Sequence, residues 1–147
     1  MDVISMISKR LSFEDIPDGI SMVEVMEEFY SNGPRVHEFI KEMNQKVLSK
    51  YDIVTVGEGP GINLENALKY VSEKENELNM VFHFDHLFID YGPKGKYDPI
   101  PIDFIRFKKI FSQWDNLLAN KGWNSIFLGN HDFSRIVSRF GNDKDYH

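Results

Sequence analysis

The sequence lacks cysteine entirely among its 147 residues. A chain without thiols forms neither disulfide bonds nor a thiolate-bound metal centre. It also lacks any run of about 18 apolar residues, the length that a membrane-spanning helix needs. No basic segment followed by an apolar stretch opens the chain, as a secretory leader would. We therefore expect a cytoplasmic protein with no membrane partner.

Positive charge is also in short supply. The 17 Lys and Arg residues are outnumbered by 23 Asp and Glu residues, which gives a formal net charge of −6. Nucleic acids and anionic membranes both favour a basic surface. The charge balance therefore predicts that neither is the main partner. Aromatic residues are plentiful at 14%, which indicates a heavily packed interior or a binding surface lined with rings.

The start of the chain has no lead-in, because residues 1–7 already form an apolar, strand-like run. This opening favours the interpretation that the sequence is a piece of a longer protein. In that case the missing leader does not bear on location.

Strand-like and helix-like segments alternate along the chain. Short apolar runs without helical periodicity occur at 53–56, 80–84 and 125–128, and residues 1–9 are typical of the end of an earlier strand that passes into a short turn or helix. Amphipathic helical patterns fall between and after these runs, at 36–48, 64–71, 101–120 and 134–140. This order predicts an α/β fold with parallel strands joined by helices.

The connecting segments carry expectations of their own. We expect residues 10–33 to be a long, functional excursion, residues 73–79 to be a solvated, charged surface, and residues 91–99 to be a loop. The helix that follows this loop has an apolar stripe, which we expect to be buried in the core. The stripe consists of Phe104, Phe107, Phe111, Trp114 and Leu118.

Polar side chains stand at the carboxyl end of each predicted strand. They are Asp2, Glu58, Asp85 with His86, and His131 with Asp132. Taken alone, Glu58 is equally well explained as a capping or solvated glutamate. Four polar ends would, however, fall on one rim of a parallel sheet, where α/β enzymes keep their active sites.

The three carboxylates at these ends fit the chemistry of a retaining glycosidase. Such an enzyme uses one carboxylate as nucleophile and a second, about 5 Å away, as acid and then base. A third carboxylate stabilises the positive transition state electrostatically. Asp2, Glu58 and Asp132 have the required type and position.

A binuclear metal phosphoesterase is the rival hypothesis. His83, Asp85, His86 and His131 could supply nitrogen and oxygen ligands. The further Asp and His clusters of such enzymes are absent from the sequence, so we predict no metal and no cofactor. We expect His83 to be an interior histidine with satisfied nitrogens, and His37 to pair with a nearby acid.

Several longer motifs, in order and over essentially the whole chain, resemble the oligo-1,6-glucosidase branch of the α-amylase superfamily, glycoside hydrolase family 13. The motifs are Met1-Asp2-Val3-Ile4, Asn32-Gly33-Pro34-Arg35-Val36-His37-Glu38-Phe39, Glu42-Met43-Asn44, Thr55-Val56-Gly57-Glu58, Gly122-Trp123-Asn124-Ser125, Asn130-His131-Asp132 and Val137-Ser138-Arg139-Phe140-Gly141-Asn142-Asp143.

The resemblance implies a partial (β/α)8 TIM barrel that contains about the fourth to the seventh strand with their helices. Residues 1–147 would then be a fragment of a single catalytic domain, without the family's inserted domain and C-terminal β-domain. The implied activity is that of a retaining α-glucosidase acting on short oligosaccharides such as isomaltose or maltose. It would cleave terminal α-1,6 bonds and, as a second choice, α-1,4 bonds.

The resemblance also implies a role for each site residue. Asp2 matches the nucleophile, Glu58 the general acid/base and Asp132 the carboxylate that stabilises the transition state. His131 matches the histidine that binds hydroxyls of the glucose being cleaved. Val3 follows the nucleophile, a position where valine is typical of α-1,6-cleaving relatives, although a packing role in the strand explains it equally well.

The sequence departs from the family pattern in two places. The family's arginine two residues before the nucleophile would precede Met1. Phe133-Ser134 stand where relatives usually carry Gln-Pro, which affects the leaving-group side. An inactive or merely sugar-binding fragment therefore stays open as an alternative, and we expect the isolated chain to be inactive.

Overall fold

The computed structural model describes Ile4 and residues 18–142. The predicted first strand at 1–9 lies outside the described residues except for Ile4. The candidate site residues Asp2 and Val3 also lie outside them.

Two short parallel strands form the centre of the described structure. Strand β1 spans Val56–Glu58 and pairs with β2, Met80–Phe82, so that Val56 faces Met80 and Glu58 faces Phe82. The predicted strand at 53–56 therefore starts too early and stops two residues short. The cause is Asn79, whose side-chain oxygen accepts from the Thr55 amide at 2.8 Å, where a neighbouring strand would otherwise pair.

The predicted strand at 125–128 lies beside β2 but forms no ladder within the described part of the chain. Met80 and Phe82 direct their backbone groups toward β1, so the Val81 carbonyl points to the opposite edge. There the hydroxyl of Ser125 donates to it. A side chain thus takes the acceptor that a backbone amide would use in a regular strand.

Helices surround this strand pair. In the order α1 to α5 they span Met22–Val25, Val36–Lys46, Ala67–Val71, Phe104–Leu118 and Ile136–Phe140. A π-helical turn extends α1 over Met26–Tyr30, and 3-10 turns occupy Leu48–Lys50 and Glu73–Glu75. The long α4 begins at Phe104, three residues after the predicted start at 101, because the Asp103 carboxylate caps it by accepting from the amides of Ile105 and Arg106. None of the helices in the described residues is long and apolar enough to cross a membrane.

The segment at 91–99 is a β-hairpin, not the predicted loop. Strand β3, Tyr91–Gly92, pairs antiparallel with β4, Gly95–Pro99. Gly95 adopts φ of +72°, a conformation that other residues rarely take. The positive φ of Gly95 allows the tight turn between β3 and β4. The sequence did not predict the hairpin because its Gly, Pro and charged residues are typical of a loop.

The core lies between the helices and the outer face of the strands. Trp114 and Leu118 of α4 are buried there together with Tyr70, Val36 and Val81. The predicted stripe on α4 is only partly correct. Phe104, the first residue of α4, is 54% exposed, whereas Ile110, which the predicted stripe omits, is buried.

The opposite face of the strands is apolar and exposed. Side chains in a strand alternate between faces, and on this inner face Val56, Phe82 and Ile126 are 41%, 39% and 70% exposed. Glu58 shares a face with Val56, since it stands two residues further along β1. The carboxylate is therefore the polar end of an otherwise apolar row.

The connection at 73–79 is anchored in the core rather than solvated throughout. The Glu77 side chain is fully buried, and its carboxylate lies 3.0 Å from Nδ1 of His37. Asn44 donates to the Glu77 carbonyl at 2.8 Å. The prediction that His37 pairs with a nearby acid is confirmed.

His83 is interior, as predicted, but it is not satisfied. Its ring stacks on Trp114 at 4.1 Å between centroids, and His86 lies 5.0 Å away. Neither nitrogen of His83 has a hydrogen-bond partner among the described residues. Burial lowers the pKa of His83 to about 3 and that of His86 to about 4.

This cluster predicts a loss of stability in mild acid. The unfolded chain takes up protons on both histidines below pH 6.5, whereas the folded chain resists protonation down to about pH 3 to 4. The free energy of unfolding is therefore highest above pH 6.5, where both histidines are neutral in either state, and it decreases as the pH falls toward 3 to 4. Each histidine contributes at most about 1.4 kcal/mol per pH unit.

Urea unfolding at high dilution, which limits association through the exposed strand face, measures this dependence between pH 7.5 and 5 by Trp114 fluorescence in a Trp123→Phe background. His83→Gln should flatten it. His131→Gln is the matched control, since its side chain is 84% exposed and should leave the slope unchanged. Equal slopes in wild type and His83→Gln would show that His83 is not held neutral.

Candidate active site

Glu58 is the last residue of β1 and is half-buried. The glycine before it allows close packing, because a Cβ at Gly57 would lie 2.7 Å from the terminal methyl groups of both Ile4 and Leu78. Ile4 is buried against the strand in this way and follows Asp2 by only two positions in the sequence. The strand end that carries Glu58 is thus tightly packed from behind.

The turn after Glu58 is fixed by side chains from the 10–33 segment. The Gly61 amide donates to the hydroxyl of Ser31 at 3.1 Å, and Asn32 donates to the Gly61 carbonyl at 3.0 Å. The Tyr70 hydroxyl in turn donates to the Asn32 oxygen at 3.0 Å. Burial raises the pKa of Tyr70, which keeps its hydroxyl a donor. This network holds the backbone that follows the candidate acid.

Asp132 and His131 are exposed at the end of the 125–128 segment. The Asp132 amide donates to the side-chain oxygen of Asn130 at 2.9 Å, which forms a tight turn. The Asp132 side chain is 61% exposed, and its carboxylate lies 3.6 Å from Nε2 of His131. Both side chains therefore have room to meet a ligand.

Asp132 lines a cavity of about 360 Å³. Its walls come from the segments that follow β1, β2 and 125–128, which shows that these carboxyl ends meet at one place. Aromatic rings form a large part of the lining, and basic side chains stand at the hairpin. The residues that matter here are Pro60, Phe84, Phe88, Tyr91, Lys96 and Phe133. A concave apolar site with a few polar groups is the usual form of a small-molecule site.

The structure brings only some of the candidate residues to this cavity. Glu58 borders a separate cavity of about 220 Å³, which it shares with Ile4 and Thr55. Asp132 and Pro60, two residues beyond Glu58, lie in the larger one. Glu58 and Asp132 thus belong to the same rim but to different cavities.

The residues weighed for a metal centre do not share one site. His83 and His86 are buried together, whereas His131 is exposed. Asp85 accepts from the Trp114 indole at 2.8 Å, and burial raises its pKa. Within the described residues, no three His, Asp or Glu side chains form a group that could hold a metal ion.

Two features near the cavity were missed by sequence reasoning. The hairpin forms one wall, and Gly95 was its only clear signal. Arg139 binds the buried carboxylate of Asp90 just before the hairpin, and each of these side chains is 10% exposed. Arg139 belongs to a family-like motif at 137–143, but the motif gives no hint of this partner.

The family model described as alpha amylase, catalytic domain, matches residues 1–147. The oligo-1,6-glucosidase of Parageobacillus thermoglucosidasius is 49% identical over 99% of this chain and 26% of its own length. The chain thus spans about a quarter of the length of the curated relatives it matches.

Two solved structures match with similar coverage. The trehalose-6-phosphate hydrolase of Bacillus licheniformis superposes with a TM-score of 0.81 at 44% identity, over 99% of this chain and 25% of the other. The isomaltulose synthase of Klebsiella sp. LX3 gives a TM-score of 0.84 at 34% identity, over 98% of this chain and 26% of the other.

Proposed function

Because the chain belongs to the α-amylase catalytic-domain family, we propose that residues 1–147 are the central piece of one catalytic domain whose complete form is a retaining α-glucosidase. Family membership confirms the predicted fold class, a partial (β/α)8 barrel. It leaves the phosphoesterase hypothesis without support. The inserted domain and the C-terminal β-domain of the family are not part of residues 1–147 in this proposal.

One observation carries the proposal. Glu58 ends β1 on the inner face, and Asp132 borders a ring-lined cavity at the same carboxyl rim. Active sites of (β/α)8 barrels lie at this rim and draw catalytic residues from several strand ends. Ile4 packs against Gly57, so a residue close to Asp2 in the sequence also reaches β1.

Each residue has a distinct step in this mechanism. Asp2 attacks the anomeric carbon while Glu58 gives its proton to the leaving oxygen, which yields a glucosyl ester on Asp2. Glu58 then takes a proton from water, and this water breaks the ester. Asp132 stabilises the positive charge that develops on the sugar ring. His131 binds hydroxyls of the same glucose.

The substrates in this proposal are short oligosaccharides with a terminal α-1,6-linked glucose, and isomaltose is the simplest. Val3 would stand beside the reacting centre and narrow the leaving-group side. A cytoplasmic location and the absence of nucleic-acid or membrane partners complete the proposal.

The tests use what we call the complete barrel. It joins residues 1–147 to the rest of the barrel, taken from the protein's own longer chain or from the Parageobacillus relative in its place. The 49% identity to that relative over 99% of the chain makes the exchange practicable.

Glu58→Gln in the complete barrel should lower turnover of isomaltose roughly 100- to 10,000-fold, since a poor leaving group depends on protonation. An activated aryl α-glucoside should lose much less in its glycosylation step, because its leaving group needs little protonation. Steady-state and burst kinetics on both substrates provide the measurement. Glu65→Gln, at an exposed glutamate, is the matched control. Equal, small losses on both substrates would remove Glu58 from the role.

The complete barrel should hydrolyse isomaltose in preference to maltose, and Val3→Thr should shift the ratio of kcat/KM values toward maltose. Thr has nearly the shape of Val, but its hydroxyl replaces a methyl group and makes the leaving-group side more polar. The expected change is roughly 10-fold, the usual effect of a methyl-sized alteration in a pocket. A wild-type preference for maltose would contradict the role assigned to Val3.

Residues 1–147 alone should self-associate and show no turnover of an aryl α-glucoside. The reason is the exposed inner face, where Val54 and Leu128 are also 61% and 46% exposed. Sedimentation velocity and thermal unfolding test the first part. A monomer with a sharp unfolding transition would contradict it, and turnover abolished by Asp2→Asn would contradict the second.

A further inference from the structure

Arg139 joins helix α5 to the segment between β2 and the hairpin. Its Nε donates to Oδ2 of Asp90 at 3.2 Å, and its Nη2 donates both to Oδ1 of Asp90 and, at 2.8 Å, to the carbonyl of Leu87. Both charged side chains are only 10% exposed. A forked, largely desolvated pair of this kind fixes direction as well as distance.

The rest of the guanidinium is enclosed by rings. Its central carbon lies 5.2 Å from the ring centroid of Phe133 and 4.7 Å from that of Phe140. Its Nη1 is buried and has no hydrogen-bond partner among the described residues. Cation–π attraction is strongest when the cation is desolvated, as it is here. Phe133 is therefore held against Arg139.

Phe133 follows Asp132 directly and belongs to the same cavity. Its ring lies 6.4 Å from the rings of both Phe84 and Phe88, and Phe88 lies 5.2 Å from Tyr91 at the base of the hairpin. Phe133 thus contacts the aromatic side chains that follow β2, and Arg139 contacts both Phe133 and the segment that contains Asp90.

Asp132 itself has little that fixes it directly. Among the described residues its polar contacts are the bond from its backbone amide to the side chain of Asn130 and the 3.6 Å approach of His131. Its side chain is mostly exposed. The position of its carboxylate must therefore come from the backbone of the 130–133 segment.

Building on the proposed glucosidase function, we propose that Arg139 is a positioning residue for Asp132. It stacks on Phe133 and ties that ring, through Asp90 and Leu87, to the segment that starts the hairpin. The carboxylate of Asp132 then keeps one place at the cavity. Lysine could replace the charge but not the fork or the flat face.

The closing experiment compares two variants of the complete barrel. Arg139→Lys keeps the charge, and Phe133→Leu keeps the ion pair but removes the ring. Both should lower kcat on isomaltose by roughly 10- to 100-fold, the usual effect of a misplaced catalytic group. KM should change less than about threefold, because Asp132 acts mainly in the transition state.

Glu77→Gln is the matched structural control. Glu77 is buried like Asp90 and pairs with His37, but it precedes β2 and so lies at the opposite end of the strands from Asp132. This variant should lower the thermal unfolding temperature to a similar degree as Arg139→Lys while kcat stays unchanged. An unchanged kcat in Arg139→Lys, with the same thermal effect, would reduce Arg139 to a structural role and overturn the proposal.

A second comparison tests the route through Asp132. In an Asp132→Asn background, Arg139→Lys should cause no further loss of turnover of an activated aryl glucoside. A full additional loss would show that Arg139 acts by another path, which also overturns the proposal.

Hydrogen exchange separates this inference from the proposed function. Amides of the 130–134 segment should exchange faster in Arg139→Lys than in wild type or Glu77→Gln, whether or not the complete barrel is active. Unchanged exchange would refute the positioning role. An inactive wild-type barrel with the expected exchange pattern would instead refute the glucosidase function alone.

Discussion

The parallel pairing of β1 with β2 is the constraint on which the candidate site depends. Because β1 and β2 are parallel, the segments that follow Glu58 and Phe82 leave the sheet at the same end. The register then places Glu58 opposite Phe82 on the inner face. The cavity that contains Asp132 forms where these exits meet. Several segments form the cavity, because the parallel strands direct the segments that follow them to the same end of the sheet.

Buried polar groups secure the connections around this framework. Glu77 with His37 anchors the approach to β2, Asn32 with Tyr70 holds the turn after β1, and Arg139 with Asp90 closes the far side. Each pair joins residues that are distant in sequence. Burying a charge without its partner is costly, so these contacts favour one arrangement of the loops over its alternatives. The parallel strands set the direction in which the loops leave the sheet, and the buried polar pairs fix the positions of those loops.

The sequence was most informative where a local pattern is sufficient. Apolar runs located β1 and β2, and the helical spacing of apolar residues located α4. The predicted start of β1 was wrong because a strand extends only as far as its neighbour pairs with it. The Asn79 side chain replaces that pairing at Thr55, and Asn79 is remote from Thr55 in sequence. The burial of Glu77 was missed for the same reason, since a charged stretch reads as solvated until its partner is known. Asp2 and Val3 lie outside the described residues, so their roles stay predictions.

The packing around Gly57 has a consequence for how the sequence can change over time. Any amino-acid substitution there adds a Cβ at 2.7 Å from the terminal methyl groups of both Ile4 and Leu78, so both side chains must shift to accept it. Residue 57 should therefore covary with residues 4 and 78, or all three should stay constant together. These three positions, far apart in the sequence, should then change together, since they share the packing behind Glu58.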